Sequence, residues 1–186
     1  MRGKGHYLVF VDVKSPLYMM IIKTKPNVIL LRKIKLSDRN CFAKWWRDKE
    51  LLKLTSGILK LISDKEVGKY FLAILRSKND YNFIIIIDKK VIGHISLVKR
   101  KNNWYETQIV IGEKKYWGKG YGPKAISSLI KKAKRLGISK IYLEVRPDNI
   151  RAIKSYENCG FQKIKTIKYP KNKYLSETLR MEFKKS

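Results

Sequence analysis

From Ile111 to Pro123 the chain reads Ile-Gly-Glu-Lys-Lys-Tyr-Trp-Gly-Lys-Gly-Tyr-Gly-Pro. Gly118, Gly120 and Gly122 alternate with Lys119 and Tyr121 immediately before a segment of helical periodicity. Glycine lets backbone N–H groups come close to a ligand and adopts positive φ without steric cost. A helix N-terminus adds unpaired donors and partial positive charge, and the two together cradle an anion. Lys119 adds a full charge, and Pro123 suits a first turn, where its missing N–H is no loss. The chemistry on offer is phosphate or pyrophosphate binding.

The spacing narrows the ligand. A dinucleotide fingerprint needs G-x-G-x-x-G after the first strand of a βαβ unit, with an acidic residue about twenty positions on. Glu144 stands near that distance, but the third glycine is one residue early and the turn follows what reads as an antiparallel meander. The P-loop pattern is absent. Taken alone, the turn leaves two readings standing: an anion cradle, or a structural turn with no ligand.

The elements that must position this turn read as follows. The helix after it carries Ile126, Leu129, Ile130, Ala133 and Leu136 on one face and stops at Gly137. Three strands precede it at 82–87, 91–99 and 105–111, the first two joined as a hairpin through Asp88-Lys89-Lys90. Residues 141–145 predict a short buried strand, 150–157 a helix, and 161–167 and 174–183 two terminal strands. Upstream, 28–31 predicts a strand and Ser37 caps a helix running through Trp46. Ser63 and Glu66 form a capping box that opens a further helix. The order is β-α-α-β-β-β-α-β-α-β-β, a mixed α/β domain without internal repeats.

The turn resembles the coenzyme A loop of the GNAT superfamily of N-acetyltransferases, Q/R-x-x-G-x-G/A, with Trp117 where Gln or Arg is usual. Its full form, Tyr116-Trp117-Gly118-Lys119-Gly120-Tyr121-Gly122, is similar to the branch of ribosomal-protein N-terminal, spermidine and aminoglycoside acetyltransferases. Downstream, Leu143-Glu144-Val145 followed by Asn149, Ala152, Tyr156, Glu157, Gly160 and Phe161 looks like the second signature, N-x-x-A-x-x-x-Y-E-x-x-G-F. Leu31-Arg32 and Leu36-Ser37-Asp38 look like the opening strand and first helix. The resemblance implies a GNAT domain over 26–186 with residues 1–25 as an N-terminal extension. The implied fold is a central mixed, mostly antiparallel twisted sheet, splayed at the coenzyme site and flanked by helices.

It also implies roles. Acetyl-coenzyme A is the cosubstrate and no metal is needed. Backbone groups of Ile109, Val110 and Ile111 receive the pantetheine arm in the manner of an added strand. Trp117, Gly118, Lys119, Gly120, Tyr121 and Gly122 form the pyrophosphate loop, and Asn149 contacts the coenzyme while capping a helix. Tyr156 matches the tyrosine proposed as general acid for the departing thiolate, its other role being a packing residue. The amine must lose a proton before or during attack, and Glu106 and Glu144 match positions that hold a base, acting directly or through water, Glu106 being the preferred of the two. His94 reads as a hydrogen-bonded core histidine, and Cys159 sits in a helix-to-strand turn with no nucleophilic role required. Trp45, Trp46 and Trp104 read as core or as acceptor-pocket wall.

Composition bounds the rest. With 186 residues and 44% hydrophobic content, the chain supports one well-buried domain. No apolar run is long enough for a membrane span. Cys41 and Cys159 give neither a disulfide framework nor zinc spacing, so a reduced cytoplasmic protein is expected, monomeric or homodimeric. Basic residues number 43 against 15 acidic, a net +28. Such a field draws coenzyme phosphates, an acidic protein or nucleic acid, or it reflects genome composition. It repels polyamines and aminoglycosides, which favours an acidic or neutral peptide N-terminus over a cationic small molecule as amine acceptor. The rival function is a basic nucleic-acid-binding module on a degenerate acetyltransferase fold, for which no recognised signature is present. The apolar runs at 7–13 and 17–22 predict an appended strand or a later start at Met19 or Met20. Asp12 and Lys14 interrupt a signal-peptide pattern.

Overall fold

The structure, a computed structural model, describes residues 28–55 and 60–184. The expectations for residues 1–25 lie outside the described residues. Seven strands form one mixed sheet: β1 (Ile29–Lys33), β2 (Tyr81–Ile87), β3 (Lys90–Lys99), β4 (Tyr105–Ile111), β5 (Ile141–Val145), β6 (Phe161–Lys168) and β7 (Glu177–Phe183). Their spatial order is β1-β2-β3-β4-β5-β7-β6, and only β4–β5 is parallel. The helices are α1 (Arg39–Trp45), α2 (Lys49–Thr55), α3 (Asp64–Arg76), α4 (Tyr121–Arg135) and α5 (Ile150–Glu157).

The run Phe-Ile-Ile-Ile-Ile in β2 follows from burial on both faces. Side chains alternate across a strand. Phe83, Ile85 and Ile87 therefore join Ala125, Ile126 and Leu129 of α4 in one core. Ile84 and Ile86 join Phe42, Trp45, Leu51 and Phe71 of α1 to α3 in a second. Fully burying one such isoleucine contributes roughly 1.5–3 kcal/mol. The hairpin to β3 is tighter than expected, because Lys90 already pairs with Ile87. Its two turn residues, Asp88 (φ 45°) and Lys89 (φ 65°), both adopt the left-handed conformation that a two-residue turn requires.

Three expectations need correction near the edges. A helix, α2, was not expected: its seven residues bury only Leu51, too short a periodic signal to read. Asp38 replaces Ser37 at the start of α1. Its carboxylate accepts from Lys35 N at 2.7 Å and from both Arg32 guanidinium nitrogens at 3.0 and 2.7 Å, and a short 3₁₀ turn over Leu36–Asp38 precedes the helix. The last strand begins at Glu177. Residues before it form a loop tied by Asn172 Oδ1, which accepts from Tyr174 N and Leu175 N. The Ser63–Glu66 capping box is formed as read, with reciprocal bonds of 3.3 and 2.7 Å.

The feature that matters for function lies between β4 and β5. They pair only at Tyr105↔Ile141 and Glu106↔Tyr142. Beyond Glu106, β4 stays on β3 as far as Ile111, while β5 runs on along β7. Gly93 helps hold β4 to β3 there, since a Cβ at that position would lie 2.1 Å from the Val110 carbonyl oxygen. At the far edge, β6 has only β7 beside it among the described residues and is exposed along most of its length.

Candidate active site

The gap between the parting strands opens into a cleft of ≈ 860 Å³ that runs from the start of α4 to the β6–β7 loop. Ile109, Val110 and Ile111 line it, so the β4 edge released by β5 faces the cleft.

At one end stands the glycine turn. Gly118 (φ 72°) and Gly120 (φ 74°) are left-handed, and Gly120 is the N-cap of α4 without any side-chain cap. Nothing lies within 4 Å of a Cβ placed at Gly118, Gly120 or Gly122, so the glycines serve conformation and access rather than close packing. The first turn of α4 contains no acidic residue, leaving its N–H groups and dipole uncompensated. This matches what a pyrophosphate group needs. Lys119 is exposed and does not line the cleft, whereas Gly118, Gly120, Tyr121 and Gly122 do. Trp117 has a role of its own. Its Nε1 donates to the Ile111 carbonyl at 2.6 Å, pinning the loop to the end of β4, and the Arg151 guanidinium lies 5.9 Å from its ring centroid. Asn149 lines the cleft and caps α5 by accepting from Ala152 N at 3.2 Å.

Tyr156, Glu106 and Glu144 line the same cleft, Tyr156 on the α4 side with Ile126. Tyr156 is packed against Phe161, with ring centroids 6.2 Å apart. Burial first, then the neighbouring Cys159, pushes its phenol up to about 12. It therefore stays protonated at any ordinary pH. The two glutamates differ. Glu106 Oε2 accepts from the Arg100 Nε at 2.8 Å and from Nη2, and Oε1 accepts from Gln108 Nε2 at 3.3 Å. Glu144 Oε2 accepts from the Tyr169 hydroxyl and from Thr178 Oγ1 at 2.7 Å, while no described residue engages its Oε1. The hydrogen bond to Glu144 is the main cause holding Tyr169 up at about 12, which keeps it a donor. Sequence reasoning missed Arg100, Tyr169 and Thr178. Their parts follow from the β5–β7 register and loop closure, which leave no local signal.

Trp45 and Trp46 take the places read for them, whereas Trp104 corrects its reading, joining neither core cluster nor the cleft wall. Cys159 Sγ donates to Pro123 O at 3.6 Å, between α4 and α5, and burial raises its thiol. Trp45 is core, donating to Glu113 Oε1 at 3.2 Å. Trp104 lies under the Arg180 guanidinium, 4.8 Å from its centroid, beside Tyr142.

His94 lines the cleft's inner wall and is buried at 9% exposure. Asn82 Nδ2 donates to Ile74 O, which turns its Oδ1 toward His94 Nε2 at 3.2 Å. The proton thus sits on Nε2, and the ring is neutral. Burial lowers its pKa from 6.5 to about 4. Unfolding frees the imidazole to take up a proton between these values, so stability falls as pH drops from 6.5 toward 4. At 1.36 kcal/mol per pH unit the loss is roughly 3 kcal/mol. Urea denaturation at pH 7.0 and 4.5 should show it, and His94→Gln should flatten that slope. An unchanged slope in the variant would mean that other groups cause it.

Residues 29–162 match the family described as the acetyltransferase (GNAT) domain, and the chain belongs to that family. An uncharacterized protein of Methanocaldococcus jannaschii is 24% identical over 167 residues, 88% of this chain, but the chain spans only 34% of that relative's length. The fold is similar to that of the spermidine N-acetyltransferase of Vibrio cholerae solved with coenzyme A and spermine. That likeness covers 83% of this chain and 94% of the other, at 21% identity and a TM-score of 0.73. It is similar also to the aminoglycoside acetyltransferase AAC(6')-Ib solved with coenzyme A and kanamycin, over 83% and 94% of the chains at 18% identity and a TM-score of 0.70. At these identities the likeness is one of fold. No helix among the described residues is long and apolar enough to cross a membrane.

Proposed function

We propose that the protein transfers acetyl from acetyl-coenzyme A directly to a primary amine, with a peptide or protein N-terminus as acceptor. The observation that carries this reading is that one cleft collects an acid-free helix start, a protonated phenol, a carboxylate with an open oxygen and the β4 edge that β5 leaves. The acceptor nitrogen attacks the thioester carbonyl carbon, the C–N bond forms and the C–S bond breaks. Glu144, directly or through water, takes the amine proton, and Tyr156 gives its proton to the sulfur. Desolvation that raises the phenol also raises a thiolate formed beside it, so this transfer stays balanced.

Charge supports the choice of acceptor. A site that collects polycations needs clustered carboxylates, yet Arg100 already neutralises Glu106, and Arg146 and Arg151 line the same cleft. The net +28 repels polyamines at long range as well. An α-amine, with a reference pKa near 8 against about 10.4 for lysine, is also the easier group to deprotonate.

The test has two arms. Acetyl-coenzyme A should raise Tm, since a ligand at 100 times its Kd stabilises by about 2.7 kcal/mol. Gly120→Val should abolish that rise, because a β-branched residue resists φ near +74°. In the second arm, acidic and neutral N-terminal peptides should be better substrates than spermidine or kanamycin, with the acidic preference fading as salt rises. No thermal shift at millimolar coenzyme would end the acetyltransferase reading. Turnover of spermidine with no peptide activity would overturn the acceptor.

A further inference from the structure

Two buried hydroxyls, Ser96 Oγ and Thr107 Oγ1, have no hydrogen-bond partner among the described residues. Leaving a buried hydroxyl unpaired costs roughly 1–3 kcal/mol. Valine would fill the Thr107 position with almost the same shape, and alanine would fit at Ser96, without that penalty. Ser96 is 1% exposed and does not line the cleft. Thr107 is 4% exposed and does line it. Its position is distinctive: it is the first residue of β4 beyond the last pair with β5, Glu106↔Tyr142. Strand alternation puts its side chain on the same face as Ile109 and Ile111, the face that packs against Tyr156 and Ile126 in the main core. The vertex of the gap thus holds an unpaired hydroxyl on the side where Tyr156 stands.

We propose, building on the acetyltransferase reading, that Thr107 Oγ1 binds the coenzyme sulfur, donating a hydrogen bond to the thioester and more strongly to the thiolate that leaves it. When the C–S bond breaks, its electron pair goes to sulfur. Thr107 keeps its own proton throughout, and the proton that ends on sulfur comes from Tyr156. A thioester sulfur is a weak acceptor and a thiolate a strong one. The bond therefore strengthens as the reaction proceeds, which is the condition for it to raise kcat rather than only to tighten binding.

The variants are Thr107→Val and Thr107→Ser in the full chain, with steady-state kinetics, Tm, and the affinities of coenzyme A and its desulfo analogue. Thr107→Val should lower kcat about tenfold, the size of one hydrogen bond to a charged group, with KM for acetyl-coenzyme A nearly unchanged. Its ligand-free Tm should equal or exceed the parent's, since no protein bond is lost. The parent's preference for coenzyme A over desulfo-coenzyme A should disappear in Thr107→Val and persist in Thr107→Ser. A drop in Tm with kcat and the sulfur preference intact would make Thr107 structural and overturn the proposal, as would parent-like kinetics in Thr107→Val. A parent protein that binds neither coenzyme form would instead remove the acetyltransferase reading beneath it.

Discussion

Tyr156→Phe is expected to lower kcat by roughly 10²–10⁴-fold, with Tm and coenzyme affinity held near those of the parent. The substitution deletes one oxygen from a ring whose packing against Phe161 and the core is otherwise kept. Only the proton supplied to the departing sulfur should be missing. Since burial pushes this phenol up to about 12, the parent should show no alkaline loss of activity from Tyr156 below about pH 11. Stopped-flow or thiol-release assays across pH would read both quantities. Activity within a fewfold of the parent would reduce Tyr156 to a packing residue and assign sulfur protonation to solvent.

Glu144→Gln is the second large effect, about 100-fold in kcat/KM at neutral pH. Activity should recover in part at higher pH, where the acceptor amine sheds its proton unaided. Glu106→Gln should behave differently. Its carboxylate already accepts from Arg100 and Gln108, so receiving a proton would mean breaking those bonds. That variant should lose stability through the stranded Arg100 and lose comparatively little turnover. The reversed pattern would make Glu106 the base, and small equal losses in both would leave the proton to water.

Much of this architecture was legible because its signals are local. The Ser63 capping box, the Gly118–Gly122 turn and the one-sided helix after it each depend on neighbours within a few positions. Even the splay could be expected, given the resemblance of the turn and of the stretch from Asn149 to Phe161. What stayed hidden depends on distance in sequence. Preferring Glu106 over Glu144 as base looks reasonable until Arg100 folds back from the end of β3 to engage it. Tyr169 and Thr178 reach Glu144 across 25 and 34 residues, through a pairing whose register no periodicity announces. Ser37 reads as the cap from its neighbours alone, whereas Asp38 holds the N-cap position with its carboxylate bound by Arg32, a tertiary contact.

The lysines of β6 bear on how copies of this protein meet in solution. Lys165 and Lys168, with Lys163 paired to Glu157, punctuate a strand that is a border among the described residues and whose outer backbone groups could otherwise template a second sheet. Like charges set along such a border make stacking of two copies edge to edge unfavourable, a common guard against fibril-like growth. At 1 M salt, with a Debye length of about 3 Å, that guard weakens. Part of the cationic excess thus bears on contact between copies, independently of anything the cleft binds.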